Sequence, residues 1–97
     1  MTRRPRHPRP DANQSAMVEA LRQCGLVVHD VSALGGDCLD LFCGDPLSGR
    51  WCQVEVKTDS GTLTDGERCY IERYEGQLPI IVARHGVDIL RWFGRVR

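Results

Sequence analysis

The chain has 97 residues with 13 basic and 13 acidic side chains, so its formal net charge is zero. This length predicts one domain with a small core, to which a partner subunit could add burial. No apolar run approaches the roughly 20 residues that cross a bilayer, and no secretory signal follows the first methionine. We therefore expect a soluble, intracellular protein with no membrane partner.

The cysteines argue against two further classes of protein. The chain has five cysteines and three histidines. An odd number of cysteines without a CxxC pair argues against a disulfide framework, and scattered histidines argue against a zinc site. We expect reduced thiols that behave as small apolar side chains.

The charge is unevenly distributed along the chain. Residues 1–10 contain four arginines, one histidine and three prolines but no acidic residue, and the remainder is correspondingly acidic. This composition predicts a disordered basic arm ahead of a single domain at residues 11–97. Such an arm suits a polyanion, because each neutralised phosphate releases counterions. A solvated tail explains the same composition equally well.

The first half of the domain predicts one helix and three strands. The helix runs from a cap at residue 11 or 13 to about Cys24. A β-branched segment at 26–31 predicts the first strand. The next two strands, 39–43 and 50–57, are joined by glycine- and proline-containing turn residues, so we expect an antiparallel hairpin.

The second half predicts a helix, a strand and a short terminal element. Thr64 and Glu67 have the spacing of a capping box, and the helix behind them ends near Gly76. The apolar run at 79–83 predicts a strand covered on both sides. Residues 87–93 fit either a short helix or an edge strand. The order αβββαβ, with this last element, predicts a two- or three-layer α/β domain with a mixed sheet flanked by helices.

Charged residues within the predicted hairpin give the strongest indication of function. Residues two apart in a strand point the same way, so Glu55 and Lys57 share one face while Val54 and Val56 take the other. Pairing of the two strands places Asp40 near them. Half-buried carboxylates need compensation, which Mg²⁺ or Mn²⁺ bound by Asp40, Glu55 and the carbonyl of Val56 would supply.

This arrangement is typical of phosphoryl chemistry. The metal can polarise a phosphoryl oxygen and lower the pKa of a bound water. Lys57 would orient or deprotonate that water, or neutralise charge developing on the phosphate. Thr58 and Ser60, just after Lys57, could contact a phosphate. The spacing alone fits two arrangements equally well: this metal site, or a surface ion pair with Asp40 turned to solvent.

The order of several short motifs resembles the PD-(D/E)XK nuclease superfamily, and most of all the small stand-alone VRR-NUC-type proteins often found in phages and prophages. The resemblance covers nearly everything from residue 11 to residue 93. The motifs that carry it are Asp11-Ala12-Asn13-Gln14, Gly36-Asp37-Cys38-Leu39-Asp40-Leu41, Val54-Glu55-Val56-Lys57, Leu63-Thr64-x-x-Glu67 and Pro79-Ile80-Ile81-Val82.

The resemblance implies a restriction-endonuclease-like fold and a metal-dependent phosphodiesterase. Such enzymes cut DNA by in-line attack of water, commonly at branched or flapped structures and often as homodimers. The resemblance also implies a cytoplasmic location in a bacterial or phage-infected cell. Carried over by position, Asp40 and Glu55 are the acidic ligands and Lys57 is the catalytic lysine. Gln14 lies where relatives hold a supporting glutamate.

Two departures from the family pattern concern Leu39 and Glu67. Leu39 replaces the usual proline before the aspartate, which a strand tolerates. Glu67 stands where relatives often carry glutamine, and the capping box explains it as well as a site function does. Two other functions stay open: a non-catalytic nucleic-acid-binding module, and a protein-interaction module that kept the fold.

Overall fold

A computed structural model describes residues 8–34 and 39–96 of the chain, with side chains from residue 14 onward. A four-stranded sheet, helices and a 3₁₀ turn make up the described part. In chain order the elements are α1 (Pro8–Gln23), β1 (Val27–Asp30), the 3₁₀ turn Ser32–Leu34, β2 (Leu41–Asp45), β3 (Arg50–Val56), α2 (Asp65–Tyr74), β4 (Ile80–Ala83) and α3 (Gly86–Trp92).

The sheet is mixed, and its strands lie in the order β1-β2-β3-β4. β1 pairs antiparallel with β2, β2 pairs antiparallel with β3, and β3 pairs parallel with β4. Sequential hairpins account for the antiparallel part, whereas the parallel pair needs the longer crossover that α2 provides. The predicted fold class, element order and hairpin are confirmed.

One face of the sheet forms the core with α1 and α3. Buried strand residues such as Val28, Leu41 and Val54 pack there against Leu21 of α1 and Ile89 of α3. Within this layer two free thiols, Cys43 and Cys52, face each other across the hairpin. Burial raises their pKa values to about 11 and about 12, so both stay protonated and apolar at neutral pH.

The opposite face of the sheet carries α2, which contributes no buried residue. This helix begins at a complete capping box, in which Thr64 and Glu67 satisfy each other's backbone N–H groups. The Tyr70 hydroxyl donates to Gln53 of β3 at 2.7 Å. Polar contacts therefore hold α2 against the sheet more than apolar burial does.

The predicted boundaries of α1 and β2 differ from the structure. α1 begins at Pro8, inside the predicted arm, because a proline in the first turn lacks only an N–H that would have no helical partner. Residues 1–7 lie outside the described residues. β2 runs over Leu41–Asp45 instead of 39–43, so Asp40 precedes the strand. The 87–93 segment is helical, as one of the two alternatives held.

The prediction that the 79–83 strand is covered on both sides is wrong. β4 is an edge strand that pairs with β3 alone. Ala83 faces the core, but Val82, on the other face, is 39% exposed. An apolar run does not distinguish one covered face from two, because that depends on where α2 packs.

Candidate active site

The hairpin register brings Asp40 and Glu55 face to face. Leu41 pairs with Val54 in the antiparallel hairpin. Asp40, which precedes Leu41, therefore lies opposite Glu55, which follows Val54. The Asp40 backbone N–H donates to the carbonyl of Val54 at 3.0 Å. Its carboxylate Oδ2 accepts the N–H of Val56 at 2.8 Å. Asp40 thus extends the ladder with its own side chain, which points its carboxylate at β3.

Glu55 is the buried carboxyl of this site, with 2% of the residue exposed. Burial, a hydrogen bond with Glu67 and the nearby charge of Asp40 together raise the pKa of Glu55 to about 8. Burial also raises the pKa of Asp40, although the N–H of Val56 opposes the shift. At neutral pH Glu55 therefore carries a proton, which it can donate to Asp40 or Glu67.

Lys57 completes the cluster and is the single lysine of the chain. Its Nζ lies 3.3 Å from Glu55 and 2.8 Å from Glu67, with 16% of its side chain exposed. Burial opposes the charged form, but the hydrogen bond with Glu67 and the charge of Glu55 outweigh it and raise the pKa of Lys57. Lys57 is therefore an ammonium group in this arrangement, and of the three actions expected for it, deprotonation of water is the one its pKa disfavours.

Glu67 takes part in the capping box and also contacts Lys57. Its Oε1 accepts the backbone N–H of Thr64 at 2.8 Å and lies 2.8 Å from Lys57 Nζ. Partial burial opposes ionisation, but the hydrogen bonds from Lys57, Thr64 and Glu55 prevail and lower the pKa of Glu67 to about 2. The start of α2 is thereby joined to the cluster.

The other predicted residues lie around this cluster. The Gln14 amide of α1 donates to Asp30 at 3.0 Å and to the Ser32 hydroxyl at 3.5 Å, so it is directed to the end of β1 and not to the two carboxyls that it was expected to support. Thr58 and Ser60 line a surface concavity beside α3, immediately after Lys57.

One residue in this region was not predicted as part of the site. Arg84, at the end of β4, directs its guanidinium into the segment that follows Lys57. No local pattern in the sequence indicates this contact, because Arg84 is 27 positions away from Lys57 and belongs to no motif.

The donor atoms of the cluster are hard oxygens. Among the side chains that the structure describes, in residues 14–34 and 39–96, no group of three or more His, Cys, Asp and Glu is arranged to hold a metal ion. Asp40 and Glu55 nevertheless supply two crowded carboxyls, and burial keeps Glu55 neutral although the Lys57 ammonium lies 3.3 Å away. Because N–H and C=O of one strand residue point to the same side, the carbonyl of Val56 is directed toward Asp40 as well. This donor set fits Mg²⁺ or Mn²⁺.

Comparison with solved structures identifies the fold. The chain is similar to a structure described as a VRR_NUC domain, with a TM-score of 0.68 and 19% sequence identity, over 91% of this chain and 97% of that one. No family model matches the chain, and no curated protein does. The chain thus has the fold of that VRR_NUC domain, and the resemblance predicted from the motifs is confirmed at the level of the fold. None of the helices in the described part is long and apolar enough to cross a membrane.

Proposed function

We propose that this protein is a Mg²⁺- or Mn²⁺-dependent DNA endonuclease that prefers branched or flapped DNA. The observation that carries the proposal is the convergence of Asp40, Glu55 and Lys57, with Asp40 bonded to the N–H of Val56 at 2.8 Å and Lys57 at 3.3 Å from Glu55. The motif resemblance in the sequence assigns these same residues as the two acidic ligands and the catalytic lysine.

Each of the three residues has a distinct task in phosphodiester hydrolysis. Asp40 and Glu55 would hold the divalent cation, which when bound polarises a phosphoryl oxygen and acidifies a water. Lys57, as an ammonium, orients the attacking water and stabilises negative charge that develops on the phosphate. Glu67 keeps that ammonium in place.

The proposed preference for a DNA structure over a base sequence rests on the size of the domain. Base edges are read by an element that enters a groove. In residues 8–34 and 39–96 the helices already pack against the sheet, α1 and α3 on one face and α2 on the other. The basic residues within 1–10 would add sequence-independent affinity for phosphate.

The proposal includes assembly as a homodimer. Beside α2 the outer face of β1, β2 and β3 carries exposed apolar side chains, among them Val27 and Trp51, which are 46% and 38% exposed. A second copy of the chain would bury this surface and enlarge a small core. Sedimentation equilibrium of the full chain should give twice the monomer mass, and a monomer mass at all concentrations tested would contradict this part of the proposal.

The central test is cleavage by variants of the single lysine. With Mg²⁺ or Mn²⁺ the wild-type protein should cut a panel of duplex, single-stranded, flap and four-way-junction DNA, with the branched substrates cut fastest. Lys57→Met keeps the length of the side chain but not its charge, and should lower the rate about 100-fold or more. Arg73→Met, which removes an exposed cation from α2, is the matched control and should retain activity.

Each alternative function predicts a different result. A non-catalytic binding module would retain DNA in a gel shift that EDTA does not affect, without cut product. A protein-interaction module would bind no DNA at low salt. Undiminished cleavage by Lys57→Met, with circular dichroism showing a folded protein, would exclude the proposed task of the lysine.

A further inference from the structure

The segment that follows Lys57 closes around the side chain of Arg84. Arg84 Nη1 donates to the carbonyl oxygens of Thr58, Asp59 and Gly61, at 3.3 Å for Asp59 and 2.8 Å for Gly61. Three backbone acceptors therefore converge on one nitrogen. Carbonyl dipoles that point at a common centre repel one another unless a cation occupies that centre.

Arg84 is itself fixed by the start of α3. The backbone N–H groups of Arg84 and His85 both donate to Oδ2 of Asp88, at 2.9 and 3.0 Å. His85 also pairs through Nε2 with Asp59 at 2.8 Å, which adds an exposed contact between the same two segments. The corner between β4 and α3 is thus a rigid base from which the guanidinium reaches the segment.

The backbone of Lys57 is bonded to the strand before Arg84, and the far end of the segment lies near the lysine side chain. The backbone N–H of Lys57 donates to the carbonyl of Ala83, the residue before Arg84, at 3.0 Å. Gly61 folds back so closely that a Cβ atom there would lie 3.0 Å from Thr58 Oγ1 and 3.6 Å from Lys57 Cδ. The segment therefore turns back beside the aliphatic stem of the lysine.

We propose that Arg84 is a positioning residue for Lys57, acting through the backbone of residues 58–61. It fixes the carbonyls behind the lysine and so directs the ammonium between Glu55 and Glu67. This inference rests on the proposed function only in taking placement of the lysine to govern cleavage. A phosphate contact is the alternative for this exposed arginine, since every hydrogen bond to the segment comes from Nη1.

The geometry predicts which substitutions preserve this action. All three hydrogen bonds come from one nitrogen, and an ammonium is a compact cation with three donors. Arg84→Lys should therefore satisfy much of the carbonyl cluster. Arg84→Met retains the stem of the side chain but no donor or charge, and should leave the carbonyls without a partner. Arg73→Met on α2 again controls for the loss of a surface cation.

The test uses the full chain with lysine labelled by ¹³C at Cε, which gives one side-chain signal because Lys57 is the single lysine. Arg84→Met should shift or broaden this signal and lower kcat about 10-fold or more, since small misplacements of a catalytic group are costly. Affinity for flap DNA, measured with Ca²⁺ in place of Mg²⁺, should not change. Arg84→Lys and Arg73→Met should keep both the signal and kcat close to wild type.

Three results would overturn the proposal. Weaker DNA binding, with the salt slope of the binding constant reduced by about 1, would show that Arg84 contacts a phosphate. A lower unfolding temperature with unchanged signal and kcat would show a structural contribution alone. A Lys57 signal equally displaced in Arg84→Lys would refute the cation-centred arrangement. If Arg84→Met does not fold, Arg84→Gln is measured in the same way.

Failure of the proposed function can be told apart from failure of this inference. If neither wild type nor any variant cuts DNA, the nuclease proposal fails. The Lys57 signal in Arg84→Met still decides whether the arginine positions the lysine.

Discussion

Lys57 lies between two carboxyl groups that differ sharply in their ease of ionisation. Glu67, bonded to the start of α2, has its pKa lowered to about 2, whereas burial raises the pKa of Glu55 to about 8. Glu67 is thus an anion that holds the ammonium, whereas Glu55 stays neutral at pH 7 because it is buried. Opposite shifts of neighbouring acids are typical of sites built for catalysis.

The variant Glu55→Gln, in protein kept free of metal with EDTA, tests the raised pKa of Glu55. Folded Glu55 holds a proton that the unfolded chain releases near its ordinary pKa of 4.5. Its stabilisation of the fold is therefore complete below that pH, and is lost as pH rises through about 8. Glutamine keeps a donor and does not titrate, so the variant should lose less stability than wild type between pH 6 and 9.

Urea unfolding at the two pH values measures this difference. Glu72→Gln, which changes an exposed carboxyl on α2, is the matched control and should follow wild type. Equal losses in Glu55→Gln and wild type would contradict the raised pKa. The same variant should also fail to cut DNA, because an amide replaces a proposed metal ligand.

Among the elements, α2 is attached most weakly to the rest of the fold. It buries no residue, and its contacts with the sheet include the Tyr70–Gln53 hydrogen bond and the Glu67–Lys57 pair. Helices that lack an apolar face against a core depend more strongly on their caps. The capping box therefore contributes to the site as well as to the helix, since Glu67 belongs to both.

We expect Thr64→Ala to lower the free energy of unfolding by about 1 kcal/mol, because it removes the side chain that accepts the N–H of Glu67. Local opening should increase within α2 before it increases in β2 or β3. Amide hydrogen exchange followed residue by residue measures this. Thr62→Ala, in the exposed loop before the helix, is the control and should change neither quantity. Unchanged exchange in α2 would show that the capping box does not hold the helix.

In the whole molecule, the site lies on the face of the sheet that carries α2, and the hydrophobic core lies on the opposite face. The crowding of Asp40 and Glu55 then favours any state in which a cation neutralises them. A ligand that binds the folded chain alone stabilises it by mass action. Metal affinity should therefore appear as a gain in the stability of the whole domain.

Mg²⁺ or Mn²⁺ at 100 times its dissociation constant should raise the free energy of unfolding by about 2.7 kcal/mol. Asp40→Asn, which keeps an acceptor for the N–H of Val56 but removes a charge, should abolish most of this gain. Thermal unfolding with and without the metal is the measurement, and Glu72→Gln should respond as wild type does. An equal gain in Asp40→Asn would place the metal elsewhere.

Features that depend on residues close together in the chain are predictable from the amino-acid order. Two-residue alternation placed Glu55 and Lys57 on one face, turn residues joined two strands into a hairpin, and the spacing of Thr64 and Glu67 gave the capping box. These rules act over a few positions, so they can be read from the sequence without the fold. The approach of Asp40 to Glu55 follows from the same hairpin.

Contacts between segments that lie far apart in the chain depend on the complete fold. It directed Gln14 to Asp30, made β4 an edge strand, and brought Arg84 to the segment behind Lys57. It also gave Lys57 a raised pKa, where local sequence left open an ammonium or a base. Burial and charge at a site are sums over all the segments that surround it, and no short stretch of sequence contains that sum.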